Sequence, residues 1–256
     1  MNLEQFRLEV ADGIATVVFD RPPVNAQNRR SREELTWIFD TLSDRDDVRV
    51  AILTGARDIF SAGADIKERV GIAAEAGDYI RHNRLTRESF YAITDCAKPV
   101  IGAINGPAIG AGYAVMACCD ILLASQNAFV QMPEIDVGLV GGAKFLELFP
   151  RSKARTMFFT GRRVPAPELY RIGVIEKCVP RAKLMDAAMD IARDVASKSP
   201  IAVTRAKRAF NAVAEMPFRD GYRFEQTVTV ELSKTEDARE AQRAFVEKRK
   251  PVFKGR

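Results

Sequence analysis

The stretch PVIGAINGPAIGAGYAVMACC, residues 99 to 119, decides how this chain of 256 residues is read. Its 21 residues carry no charge, which is the length of a membrane span. Two prolines, four glycines and Asn105 interrupt it, so a continuous apolar helix is the wrong reading. It divides instead into a buried strand over Pro99 to Ile104, a glycine-rich turn and a buried helix. Upstream, Val48 to Thr54 and Gly13 to Phe19 are short, β-branched and strand-like. Between them Ser31, with Glu34 three residues on, forms a capping box ahead of a helix whose apolar face holds Leu35, Ile38, Phe39 and Leu42. Asp58 to Lys67 reads as a small-residue loop, Glu68 to Ala97 as a polar helical stretch, Ile121 to Ala124 as a strand preceding Phe129 to Pro133. Short apolar strands separated by helices predict an α/β fold with a parallel sheet covered by helices. Beyond Pro150, Arg151 to Glu247 reads as nearly all helical, broken by glycines and prolines.

Composition sets the outer limits. With 47% hydrophobic and 29% charged residues the chain is an ordinary globular protein, which excludes disorder and collagen-like structure. Thirty-nine basic residues against 34 acidic leave a mild +5, enough to accept an anionic ligand without demanding a nucleic acid. The four cysteines lack metal or disulfide-framework spacing, so they read as reduced, buried thiols. Acidic Glu4 stands where a signal peptide needs base, and no apolar segment follows it. A cytoplasmic protein with no membrane partner is expected.

Three segments are candidates for chemistry. Asn105 to Gly112 follows a strand and opens a helix, so its backbone N–H groups are placed to receive a negative oxygen. Its spacing is not G-x-G-x-x-G, and Gly138 to Phe145 misses the phosphate-loop pattern at Ala143 and Phe145. Phe60 to Lys67 is a second small-residue loop, and two such loops together can present an oxyanion hole made of backbone. Tight helix–sheet packing is the competing reading for the first of them. The third is Glu134, a carboxylate between Met132, Ile135 and Val137 that desolvation would tune as a base, or else a turn residue capping a helix. His82, the sole histidine, sits among arginines and reads as solvated, and no metal site is expected. The basic end, including Arg243, Lys248, Arg249 and Lys250, reads as a solvated helix terminus open to phosphates.

These segments, in this order and spacing, resemble the crotonase superfamily, the enoyl-CoA hydratase/isomerase family. The resemblance starts at Arg21-Pro22-Pro23-Val24-Asn25-Ala26 and runs through Phe60 to Lys67, Lys98 to Gly106, Cys119-Asp120-Ile121 and Pro133-Glu134 to Ala244 to Phe253. It implies an α/β fold, a crotonase-like spiral of ββα units over 1–180, with a helical C-terminal trimerisation region over 181–256 and a homotrimer or homohexamer. It also implies an acyl-CoA thioester substrate, with CoA as part of the substrate and no separate cofactor. The N–H groups of Ala64 and Ala111 would hold the thioester enolate, while Ala62, Asp65 and Ile66 would border the adenine with Pro23 and Val24.

The chain departs from the family's hydratases at one carboxylate. They place a Glu at the position of Ala114 and a second at the position of Glu134, and only the second is present. Hydration uses both, whereas moving a double bond needs one base that takes a proton and returns it. Isomerisation is therefore the expected reaction. Hydration or dehydration is the alternative if Glu147, Asp136 or Tyr113 replaces the missing group. A noncatalytic RNA- or CoA-binding member is a further alternative, but an RNA binder has no physical need for both loops together with Glu134.

Overall fold

The computed structural model describes residues 1–70 and 77–256. A hairpin opens the chain, β1 (Phe6–Ala11) pairing antiparallel with β2 (Ile14–Phe19) in a register that sets Phe6 beside Phe19, their rings stacked at 4.5 Å. The expected N-terminal strand thus has a partner before it. Its signal is Asp12-Gly13, whose φ values of 53° and 78° make the two-residue turn that suits hairpin twist. After β3 (Ala26–Gln27) and α1 (Arg29–Asp44) come β4 (Val50–Gly55), β5 (Gly63–Ala64) and α2 (Ile66–Val70). Then follow α3 (Asp78–Asp95), β6 (Val100–Ile104), β7 (Ala108–Ile109), α4 (Ala111–Ala117), β8 (Ile121–Ser125) and β9 (Phe129–Gln131).

The long strands form one sheet in the order β1-β2-β4-β6-β8-β11, parallel from β2 onward, where β11 is Lys177–Val179. β4 and β6 are buried at every position because helices cover both faces, as their unbroken apolar runs require. Each of β2, β4, β6 and β8 leads into a short strand that leaves the main sheet: β3 pairs with β5, and β9 lies between β7 and β10 (Val164–Pro165). Repeated strand, short strand and helix make the ββα spiral, and the helical C-terminal region follows it. The short strands matter for function, since they stand the ends of consecutive units next to one another.

One face of the main sheet packs on α1, α3 and α4 through Phe39, Ile38, Ile93 and Met116. The other buries Val50, Ile52, Ile101 and Leu123 under Leu184, Ala188 and Ala192 of α7 (Leu184–Ala196). Before α7 come α5 (Arg151–Thr160) and α6 (Ala166–Arg171), and after it α8 (Pro200–Val213), α9 (Phe218–Leu232) and α10 (Glu236–Val246). α8 is tied down by the buried Lys207, whose Nζ meets Asp120 Oδ2 at 2.7 Å and donates to the carbonyls of Ile93 and Lys98. Burial raises the Asp120 carboxyl above its ordinary range even though the Lys207 ammonium pulls the other way.

Several local expectations are corrected. Asn28, not Ser31, caps α1, accepting from the Ser31 N–H at 2.9 Å, and Glu34 instead accepts from the N–H groups of Glu4, Gln5 and Phe6. The loop over Asp58 to Lys67 contains β5, and the helical pattern after Pro150 contains β10 and β11, two- and three-residue strands too short to show periodicity. Of the helical reading over Glu68 to Ala97, residues 71–76 lie outside the described residues. Val195 packs on the protein's own sheet, whereas Phe210, Phe218 and Phe245 stand 76%, 86% and 85% exposed. The basic end is folded back: Arg249 pairs with Glu240 at 2.5 Å and Glu247 at 2.6 Å, and Asp237 accepts from Ser199, Lys254 and Gly255. Cys96, Cys118 and Cys119 are buried free thiols, and Cys178 is half-buried.

Candidate active site

Residues 61–64 run between two other stretches of chain. On one edge lies β3, with Ala62 N–H donating to the Val24 carbonyl at 3.0 Å and Asp65 N–H to the Gln27 carbonyl at 2.8 Å. On the other lies the turn into α4, where Ile109 N–H donates to the Ser61 carbonyl at 3.0 Å. Ala64 follows Gly63, the residue of this stretch that abuts the turn. There Ala111 begins α4, and amides of a first helical turn have no intrahelical acceptor. The two segments touch: a Cβ on Gly63, whose φ is +90°, would sit 2.5 Å from the Ile109 carbonyl and 3.3 Å from the Ala111 nitrogen. Only glycine fits there, and its absence of a side chain is what lets residues 63 and 64 lie against the start of α4.

Glu134 arrives from the next unit. It follows β9 and Pro133 and opens a 3-10 turn over Glu134–Val137, closed by Asp136 N–H to the Pro133 carbonyl and Leu139 N–H to the Glu134 carbonyl. Gly110 N–H donates to the Gln131 carbonyl at 2.8 Å, which docks this unit onto the turn before Ala111. As a result Glu134 Oε1 rests against Gly110, 2.8 Å from where a Cβ would be. Glu134, the start of α4 and Gly63 thus meet from three consecutive units. Of the apolar neighbours expected to desolvate Glu134, Met132 is buried but Ile135 and Val137 are 42% and 58% exposed, a correction that follows from the tight 3-10 turn fanning successive side chains apart. Beside the same turn a groove of about 620 Å³ opens, lined by Ile135, Val140, Leu146, Phe149, Phe158 and Phe159 with Arg151 and Arg155.

Two of the candidate replacements for a second carboxylate, Tyr113 and Glu147, are engaged elsewhere. Tyr113 is fully buried, its hydroxyl donates to the Phe145 carbonyl at 2.7 Å, and burial raises its pKa. Glu147 pairs with Lys144 at 2.9 Å, and exposed Asp136 lies against Gly161. Ala114, one turn into α4 with its N–H on the Gly110 carbonyl, presents only a buried methyl.

Pro23, Val24, Ala62, Asp65 and Ile66 come together along the β3–β5 edge, with Pro23, Val24 and Ile66 exposed and the Pro22–Pro23 peptide cis. Asp65 turns away from that surface to meet Arg21 at 2.7 Å and caps α2 through the Lys67 N–H at 3.0 Å. Burial pushes its carboxyl up, but the Arg21 hydrogen bond and the helix amides outweigh it and hold the group below the ordinary carboxylate range. Two asparagines shape the loop from beneath. Asn25 Nδ2 reaches the carbonyls of Ile59 and Phe60, both at 3.2 Å, and Asn105 receives the Gly55 N–H at 3.0 Å and donates to the Arg57 carbonyl at 2.9 Å. Their sequence signal is a polar residue at the end of an apolar strand or turn, where a side-chain amide satisfies backbone that no ladder can. His82 lies on α3 with its ring near Tyr79. Among the described residues no group of three or more His, Cys, Asp or Glu is placed to hold a metal.

The model of the enoyl-CoA hydratase/isomerase family matches residues 9–256. The chain belongs to the enoyl-CoA hydratase/isomerase family. Membership makes it an acyl-CoA-processing enzyme. Within the family it is 37% identical over 241 residues to a (7aS)-7a-methyl-1,5-dioxo-2,3,5,6,7,7a-hexahydro-1H-indene-carboxyl-CoA hydrolase of Rhodococcus jostii, covering 94% of this chain and 93% of that one. It is 33% identical over 255 residues to carnitinyl-CoA dehydratase of Citrobacter koseri, 95% of each chain being covered. The solved enoyl-CoA hydratase of Bacillus anthracis superposes with a TM-score of 0.93 at 31% identity, over 99% of this chain and 100% of that one. Among the described residues no helix is long and apolar enough to cross a membrane.

Proposed function

We propose that this enoyl-CoA hydratase/isomerase family member forms a thioester enolate and moves a double bond. The Ala64 and Ala111 N–H groups donate to the thioester oxygen, where charge grows as a proton leaves the neighbouring carbon. Glu134 takes that proton from C2 of a 3-enoyl-CoA, the electrons spread through a dienolate, and Glu134 returns the proton at C4 to leave a 2-enoyl-CoA. The observation that carries this reading is the corner itself: Glu134 Oε1 rests on Gly110 beside the Ala111 nitrogen, and the position of a second carboxylate is the methyl of Ala114.

The adenine end of CoA is assigned to the edge formed by Pro23, Val24, Ala62, Asp65 and Ile66, with no cofactor beyond the substrate's own CoA. The exposed Phe210, Phe218 and Phe245 on the C-terminal helices support a homotrimer or homohexamer. Pairing of the basic tail with Glu240 and Glu247 speaks against nucleic acid as a partner, and free cysteines fit a cytoplasmic protein. A second reading, addition or removal of water at the same enolate, is favoured by the name of the carnitinyl-CoA dehydratase relative. Incubation with 3-enoyl-, 2-enoyl- and 3-hydroxyacyl-CoA thioesters followed by mass spectrometry separates the two. A double-bond shift without water gain supports isomerisation, and rapid hydration of 2-enoyl-CoA replaces it with the second reading.

A further inference from the structure

Arg32 is the largest fully buried side chain among the described residues, on the first turns of α1, and nothing in the proposed chemistry uses it. An arginine is costly to bury and persists where its charge and fork are both satisfied. Its Nη2 donates to the Gln27 carbonyl at 3.2 Å, and its Nη1 lies 3.5 Å from Glu68 Oε2. Both partners bracket the oxyanion segment. Gln27 is paired with Ala64 across β3 and β5, and its carbonyl also receives the Asp65 N–H at 2.8 Å. Glu68 lies four residues beyond Ala64 in α2, and its other oxygen accepts the Arg29 N–H at 2.8 Å. The Gln27 side chain reaches back to Ser61 Oγ at 3.4 Å, and that hydroxyl accepts the Gly63 N–H at 3.2 Å. One guanidinium therefore holds the strand beneath Ala64 and the helix after it.

We propose that Arg32 is a positioning residue that sets the direction of the Ala64 N–H by clamping β3 and α2 to α1. The inference rests on the oxyanion role given to Ala64, although the clamp itself is tested without it. The planar fork matters because a guanidinium spreads its charge over a wide, rigid plane that spans the Gln27 carbonyl and the Glu68 carboxylate, whereas an ammonium is a compact point charge on a flexible stem. Filling the space alone would be met by any side chain of similar volume. The Glu68 side chain is 29% exposed, so on loss of Arg32 it turns to water and a folded variant is expected.

The test compares Arg32→Met, Arg32→Lys and the control Lys207→Met, which breaks a buried pair with Asp120 that touches neither β3 nor α2. Amide hydrogen exchange reports the clamp directly: in Arg32→Met the Asp65 N–H should exchange at least about 10-fold faster than in Lys207→Met at matched thermal stability. Turnover of whichever acyl-CoA thioester the wild type processes should show kcat lowered about 10- to 100-fold, with KM raised as well because Asp65 and Ile66 lie on the loosened segment. Arg32→Lys should recover part of kcat and little of the Asp65 protection. Unchanged Asp65 exchange in Arg32→Met overturns the clamp, whatever the activity. Faster exchange with unchanged kcat overturns the catalytic consequence while leaving the clamp, and a wild type that turns over no acyl-CoA condemns the enolate reading instead.

Discussion

Gly110→Ala puts a single methyl group between the two halves of the proposed site. The new Cβ would stand 2.8 Å from Glu134 Oε1, and ordinary contact begins at 3.4 Å, so the carboxylate must retreat by at least 0.6 Å. Gly110 also has φ 53° and ψ −119°, a conformation that side-chain-bearing residues adopt only under strain of about 1 to 3 kcal/mol. Misplacement of a catalytic group by about 1 Å costs about 100-fold, so a retreat of this size should lower kcat by about 10-fold or more. Strain should lower the melting temperature by about 3 to 10 °C for a chain of this length. The assay pairs thermal melting with steady-state turnover of the best acyl-CoA from the panel, and KM should move little because the methyl points at Glu134 and Pro133 and not at the β3–β5 edge. Full kcat in a folded Gly110→Ala protein would refute the placement of Glu134 against the oxyanion turn.

Other expected outcomes follow from the same corner. Ala114→Glu should raise hydration of a short 2-enoyl-CoA, measured as loss of enoyl-thioester absorbance, and rapid hydration by the wild type would show that one glutamate suffices. Ala64→Pro removes the donor itself and should abolish turnover, and a folded, active variant would exclude that amide. The Asp65 carboxyl sits below its ordinary range, so its stabilisation is complete above the unfolded value near pH 4 and is lost as pH falls through the lower folded value. Asp65→Asn should therefore cost about 1 to 3 kcal/mol at pH 7 in denaturant titrations and converge with the wild type in strong acid.

How much of this is legible in the sequence depends on the length of the signal. β4 and β6 are plain from apolar runs, because a strand covered on both faces has no room for polar residues. β5, β7 and β10 have two residues each, too few for any periodicity, yet β5 and β7 stand the segments that carry Ala64, Ala111 and Glu134 next to one another. The motif resemblance points to those residues where local pattern cannot. The capping box at Ser31 misleads because Glu34 is drawn off by the backbone of residues 4–6, a tertiary contact with no local trace. Arg32 is hidden for a similar reason: a charge on α1 reads as solvated until its carbonyl and carboxylate partners, distant in sequence, are in place.

Deuterium uptake from heavy water at the carbon beside the thioester, followed by mass spectrometry, tests enolate formation without requiring the final product to be known. The wild type should label a bound acyl-CoA at that carbon, and Glu134→Gln should lose labelling by more than about 100-fold while still binding the thioester. Equal labelling by the wild type and Glu134→Gln, or none by a wild type that binds the thioester, would contradict the account.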